Sequence, residues 1–334
     1  MTKCIVTGGA GFIGSYVTSS LLKQRHHVTL LDNLSTGNKQ NISCSAKFIQ
    51  QPLEEINQDI FSDVDVVFHL ASISGEAVSF FSPSSCFNKN IAAATNVLLN
   101  CVQSGVRRIV FTSSMAVYGN QLDAPFSETD ICKPTDPYGL SKLTIEKLIE
   151  MYAENSNLEW SILRLHNVFG PKINLKDPYR GVIGIFINRL LRGKPPIIYG
   201  DGKQLRAFTY VEDIIPYIVD AGFNKEYNRE IINIGSGKTN NILDLVSILC
   251  ELIDDEKKPI FLPPRIAEAR NAFTTTKKSE QILGFKDNTS LHEGLIKTVK
   301  WAKEQEIKNF DYELMDIELD MNGKLPISWK NRIL

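Results

Sequence analysis

Residues 7–14 read TGGAGFIG. An apolar, β-branched run, Lys3–Thr7 (KCIVT), precedes them, and a helical pattern over residues 11–23 follows. A strand that turns through glycines into a helix is suited to phosphate. Gly8 and Gly11 permit the tight turn and the close approach of a pyrophosphate, and Gly14 lets helix and strand pack together. The free N–H groups at the start of the helix favour negative charge. Asp32 closes the next apolar run, His27–Leu31 (HVTLL), about 20 residues past the glycines, where a carboxylate accepts hydrogen bonds from ribose hydroxyls. The same carboxylate repels a 2′-phosphate, so NAD is expected rather than NADP.

Further apolar runs follow over residues 46–49, 65–69, 108–112 and 160–165, with helical patterns over 86–104 and 137–155. Continuous apolar strands alternating with amphipathic helices are what a parallel sheet covered on both faces requires. The expected fold is therefore α/β: a Rossmann-type doubly wound parallel sheet with a smaller C-terminal substrate-binding lobe, its ligands at the carboxyl ends of the strands. Residues 1–170 form the NAD-binding domain in this reading. The chain returns to it around 207–235, where residues 230–234 (EIINI) read as a buried strand. Residues 171–334 are mainly the substrate lobe, with one helix over 182–191, a helix-rich stretch over 242–303, and a tail over 310–334 that is either packed or an oligomer contact.

Composition narrows the function. The chain has 334 residues, 43% of them hydrophobic and 22% charged, which is ordinary globular usage. Lys+Arg is 37 against Asp+Glu 38, a net charge of -1, so an electrostatic binder of nucleic acid or a membrane surface is not expected. No apolar run approaches the roughly 20 residues of a membrane span, and the immediate strand argues against a cleaved leader. The six cysteines are scattered without a C-x-x-C pair. Neither a metal site nor a disulfide framework is expected, and a cytoplasmic location fits best.

Tyr138 and Lys142 stand four apart in a helical stretch opened by Pro137, so they share a face. An unperturbed tyrosine, with a pKa near ~10, is a poor base at neutral pH. An ammonium beside it favours the phenolate, and the lysine can also reach a cofactor ribose. The strand over 108–112 runs into Ser113-Ser114, so a hydroxyl stands at the carboxyl edge to bond the reacting alcohol.

With these motifs in this order the sequence resembles the extended short-chain dehydrogenase/reductase family, and most nearly its nucleotide-sugar 4-epimerases of the UDP-galactose 4-epimerase type. The resemblance is carried by TGGAGFIG (7–14), DNLSTG (32–37), HLA (69–71), SSMAVYG (113–119), PYGLSK (137–142), NVFGP (167–171) and RAFTYVEDI (206–214). It implies that Gly8, Gly11, Phe12, Ile13, Gly14, Asp32 and Asn33 hold NAD, with Leu70, Ala71, Ser72 and Asn90 further along. It implies that Ser114, Tyr138 and Lys142 are catalytic. Asn167, Arg206 and Arg265 would bind the nucleotide diphosphate of a UDP-sugar, with Glu268 where relatives often have an aspartate against the uridine ribose. Arginine suits such positions because its planar fork binds phosphate oxygens in pairs. A homodimer, built on the helices over 86–104 and 137–155, is implied as well.

Several positions depart from the family pattern. Gln51-Pro52 stands where many members have an aspartate against adenine; the glutamine amide is expected to serve there. Ser74 replaces a lysine. Ala272 replaces a bulky tyrosine and is expected to open room for a 2-acetamido group. Met115-Ala116 replaces the Asp-Glu pair of the 4,6-dehydratases and the glutamate of the decarboxylases. Neither residue can supply the extra acid and base that elimination needs. His69 and His166 read as structural, and Glu76 as a loop charge. The expected function is C4 epimerisation of a UDP-hexose. The rivals are a dehydratase, decarboxylase or reductase on the same scaffold, and a non-catalytic NAD sensor.

Overall fold

The computed structural model describes residues 1–121, 124–254, 257–266 and 268–334. The first half alternates as the pattern predicts: β1 (Lys3–Thr7), α1 (Phe12–Lys23), β2 (His27–Leu31), β3 (Lys47–Ile49), β4 (Val66–His69), α2 (Glu76–Ser79), α3 (Pro83–Phe87), α4 (Ala93–Gln103), β5 (Arg108–Ser114), α5 (Pro137–Glu154) and β6 (Glu159–Leu165). The second half is more broken. It holds β7 (Asn167–Phe169), α6 (Val182–Leu191), β8 (Ile197–Tyr199), β9 (Leu205–Tyr210), α7 (Val211–Asp220), β10 (Glu230–Ile234), β11 (Thr239–Asn241), α8 (Ile242–Ile253), β12 (Ile260–Leu262), β13 (Asn271–Ala272), α9 (Lys277–Leu283), α10 (Leu291–Lys303) and α11 (Ile327–Lys330).

Seven strands form the main sheet in the order β10-β6-β5-β4-β1-β2-β3, every neighbouring pair parallel. The side chains explain why it is covered twice. Successive residues of a strand point to opposite faces. Cys4, Val6, Val66 and Phe68 pack with Val17 and Leu21 of α1 and Ile214 and Ile218 of α7. Ile5 and Val67 pack on the other face with Val97 and Leu98 of α4 and Ile145 and Ile149 of α5. The strand order reverses between β1 and β4, and such a switch point opens a crevice at the carboxyl ends. The second half builds a smaller lobe. Here β9 pairs with β7, β11 and β13, β8 pairs with β12, and the core includes Phe186, Phe208 and Leu245.

The helical pattern over residues 86–104 resolves into two helices joined by a π-helical turn over Asn88–Ala92, with Pro83 opening α3 earlier than the periodicity indicates. The wide turn carries Asn90, which is fully buried. Its amide takes the Ile73 carbonyl at 3.0 Å and the Ser141 hydroxyl at 3.1 Å, while its oxygen accepts from the Ile73 N–H at 2.7 Å. The interrupted helix is thus the anchor of the loop after β4. The tail is packed: Phe310, Met315, Trp329 and Leu334 are buried with Val78, Phe81 and Tyr179. No helix among the described residues is long and apolar enough to cross a membrane.

Candidate active site

A cavity of about 560 Å³ opens at the switch point and extends into the second lobe. Its first end is the glycine turn. Gly8 has φ +68°, and a Cβ there would lie 2.8 Å from the backbone of Ala71, so only glycine lets β1 pass so close to the loop after β4. Among the described residues no side chain caps the start of α1, which leaves its first N–H groups for a ligand. Asp32 is held by two backbone N–H groups, Ala10 at 3.0 Å and Leu34 at 2.8 Å. Burial raises its carboxyl above the ordinary range, and those two bonds oppose the rise. Bare helix-end donors, a glycine approach and a fixed carboxylate at the end of β2 fit the pyrophosphate and ribose of NAD.

The cradle offers a direct test. A Cβ on Gly14 would stand 2.1 Å from the Gly8 carbonyl oxygen and 2.9 Å from the Gly9 Cα, both backbone atoms that cannot swing away. Gly14→Ala is expected to cut the NAD carried by the purified protein at least about tenfold, which needs only ~1.4 kcal/mol of lost affinity. Absorbance of cofactor released on denaturation measures it, and a full complement of NAD in the variant would refute the role given to this turn.

The chemistry-bearing side chains converge at the middle of the cavity. The β5 strand delivers Ser114, and α5, capped by Asp136 through the Gly139 N–H at 2.8 Å, delivers Tyr138 and Lys142. The Ser114 hydroxyl stands by the Tyr138 phenol and favours its ionisation. Lys142 is buried, donates to the Thr112 carbonyl at 2.9 Å, and lies 4.8 Å from the Phe111 ring centre and 5.8 Å from that of Tyr138. Burial pulls the Lys142 ammonium down to about 7. Burial likewise pushes the Tyr138 phenol above its ordinary value, with Ser114 opposing and the carboxylates Glu76 and Asp136 adding to the rise. The spacing alone predicts a phenol lowered by its lysine. The protein by itself holds it raised, because desolvation and two nearby carboxylates outweigh an ammonium that points at a backbone carbonyl. Burial and Glu76 together raise the Asp136 carboxyl to about 7.

The far end carries the cations. Arg265 stacks on Tyr199 at 4.6 Å and holds Glu268 through two contacts of 3.2 Å. Arg206 lies 3.7 Å from the same carboxylate, and Gln204 donates to it at 3.1 Å. Asn167, at the start of β7, is on the same wall.

Phe12, Ile13, Asn33, Leu70, Ala71, Ser72 and Ser74 also line the cavity. Others of the expected set stand off it. The Gln51 amide donates to the Glu55 carbonyl at 2.8 Å, Pro52 opens a short 3₁₀ turn, and Leu53 and Glu54 line the wall instead. Asn90 lies behind Ile73. Ala272 is buried with Met115, Phe126 and Ala269, and of that cluster Met115 lines the cavity. His69 lies beneath the cradle, its Nδ1 at 2.8 Å from the Thr7 hydroxyl, and burial pulls it down to about 3. His166 faces the cavity, bonds Thr274, and is pulled down by burial to about 4. Both rings are neutral at ordinary pH.

Glu76 is the residue that sequence reasoning undervalued. It opens α2 on the cavity wall and interacts electrostatically with Arg206 and Arg265. An acid following Ser74-Gly75 inside an apolar stretch was the available signal.

The family model described as the NAD dependent epimerase/dehydratase family matches residues 4–235. A putative UDP-glucose 4-epimerase of Methanocaldococcus jannaschii is 37% identical over 90% of this chain and 98% of its own. A UDP-N-acetyl-alpha-D-glucosaminuronate decarboxylase of Bacillus cytotoxicus is 33% identical over 91% and 98%. The crystal structure of UDP-glucose 4-epimerase from Thermotoga maritima with UDP-glucose matches with a TM-score of 0.86 and 33% identity, covering 91% of this chain and 99% of that one.

Proposed function

The chain belongs to the NAD-dependent epimerase/dehydratase family, and on that premise we propose that it epimerises a UDP-hexose at C4 through a transient 4-keto sugar. The observation that carries this reading is the end of β5. Ser114 and Tyr138 line the cavity together there, and the next two residues, Met115 and Ala116, are buried and apolar. The site supplies one hydroxyl pair for one sugar oxygen. At residues 115 and 116 it lacks the second acid and base that elimination of water would require.

Bound NAD supplies a reversible hydride acceptor and a positive charge that opposes the burial penalty on a phenolate. Tyr138 removes the proton from the 4-hydroxyl and Ser114 holds the oxygen. Arg206 and Arg265 bind the diphosphate, the first by its freer guanidinium edge and the second from its stack on Tyr199. With the nucleotide held, the keto sugar turns about its diphosphate linkage and presents its other face. Tyr138 then returns the proton to the same oxygen. Positioning by the remote diphosphate contacts is what makes the reacting atoms meet repeatedly.

Proton NMR of the purified protein with UDP-glucose, and separately with UDP-N-acetylglucosamine, in D2O without added cofactor tests the proposal. The expected result is a new anomeric signal from the 4-epimer with no deuterium at C5. Carbon dioxide released from UDP-glucuronate, or water eliminated from a hexose, with no epimer signal would replace it with a decarboxylase or dehydratase.

A further inference from the structure

Glu76 puts a carboxylate on the cavity wall with no hydrogen-bond donor in reach among the described residues, although every other charged group facing it is engaged. Its neighbours are identifiable. Burial raises its carboxyl, and toward the diphosphate end Arg206 and Arg265, which share Glu268, oppose that rise and favour the carboxylate. Toward the reacting end it acts on Tyr138 and Asp136. The Arg180 side chain packs closely on the preceding Gly75, where a Cβ would lie 2.8 Å from the Arg180 Cγ. Arg180 is itself paired with buried Asp177, its Nε donating at 2.6 Å. Lys142 points away, at the Thr112 carbonyl.

The segment that carries Glu76 is fixed. Ser79, on the same short helix, accepts the Tyr138 N–H at 3.1 Å and so ties α2 to the start of α5. The tail holds the segment from the other side: Glu318 accepts the N–H groups of Ser84 and Ser85 at 2.9 and 2.7 Å, and the Ser82 hydroxyl donates to the Asp316 carbonyl at 2.6 Å. A positioned, unpartnered acceptor beside the catalytic phenol is placed to meet the sugar itself.

We propose that Glu76 selects the sugar: its carboxylate accepts hydrogen bonds from the hydroxyls of a neutral hexose and turns away a hexuronate. This rests on the reading of the cavity as a UDP-sugar site. A uronate carries its carboxylate on C5, the carbon adjacent to the one that Tyr138 serves. There it would meet Glu76, with Arg180 already neutralised by Asp177. Like charges brought together in a partly desolvated site are strongly disfavoured, and a charged acceptor bonded to a hydroxyl is worth more than a neutral one.

Calorimetric titration of the NAD-loaded protein and of its Glu76→Gln variant with UDP, UDP-glucose and UDP-glucuronate tests this without requiring turnover. The native protein is expected to bind UDP-glucose at least about tenfold more tightly than UDP-glucuronate, and the variant to shrink that ratio about tenfold. UDP, which lacks the sugar, should still bind the variant; that binding reports that the variant is folded and captures any change at the diphosphate itself, while the ratio between the two sugars reads the sugar alone. Equal affinity of the native protein for the two sugars, or an unchanged ratio in the variant, would overturn the proposal. The expected affinities in a protein that yields no 4-epimer would leave the selection standing and remove the epimerase reading alone.

Discussion

Tyr138→Phe is expected to lower turnover of the UDP-hexose by about 10³- to 10⁴-fold, the upper part of the range for loss of a positioned acid–base group. UDP-sugar and NAD binding should stay nearly unchanged. The change removes one oxygen and leaves the ring. Lys142 keeps its bond to the Thr112 carbonyl, Asp136 keeps its cap on α5, and the backbone N–H of residue 138 still reaches Ser79. The loss should therefore fall on kcat with KM little altered, as for an interaction made only while the proton moves. NMR turnover assays and calorimetry with UDP-glucose separate the two quantities. A variant with more than about a tenth of native kcat would show that another group moves the proton. The pH profile adds a sign. A phenol held above its ordinary value by burial and by Glu76 and Asp136 ionises more readily as pH rises, so activity limited by that ionisation climbs with pH on the acid side of the profile. Tyr138→Phe removes the climb along with the rate.

The sheet was legible because burial on both faces writes itself into short sequence. Val66, Val67 and Phe68 form an unbroken apolar run only because alternate residues serve two different layers of helix. The glycine turn was legible for a related reason: Gly8 and Gly14 face backbone atoms of residues near in sequence or on the adjacent strand, where no side chain fits. The second lobe resisted, since β7, β8, β11, β12 and β13 span three residues or fewer and carry no readable period. Side-chain assignments resisted where a distant segment decides them. Gln51 has an amide able to reach a ligand, but the Glu55 carbonyl claims it. Ala272 is small in a place where size was expected to matter, yet β13 pairs it opposite Arg206 and buries it beside Met115. Glu76 reads as a loop charge until the fold brings Arg206, Arg265, Asp136 and Tyr138 around it.

The largest effect on stability is expected at Glu146, one turn beyond Lys142 on the same face of α5. It is fully buried, and Arg164 of β6 grips it with two bonds, Nε at 3.0 Å and a terminal nitrogen at 2.7 Å. The Ser113 hydroxyl donates to the same carboxylate at 2.5 Å. Arg164 also donates to the Tyr118 hydroxyl at 2.8 Å, which in turn donates to the Asn233 side chain of β10 at 2.8 Å. One carboxylate thus joins α5 to β5, β6 and, through Tyr118, the edge strand β10. Glu146→Leu leaves the Arg164 guanidinium buried without a counter-charge, an arrangement that typically costs about 3–5 kcal/mol. Arg164→Met strands the carboxylate instead and should cost about as much. Replacing both with apolar residues of similar volume removes the unpaired charge, and the double variant should recover at least about half of either loss. Urea unfolding monitored by tryptophan fluorescence gives the three values. A single variant that loses less than about 1 kcal/mol, or a double variant no better than its parents, would show that the pair does not hold α5 in place. The double variant carries the functional half of the argument. Ser113 loses its acceptor there, while Ser114, Tyr138 and Lys142 remain, so a stable double variant with lowered kcat and unchanged UDP affinity would identify the ion pair as what aligns the catalytic helix with the end of β5.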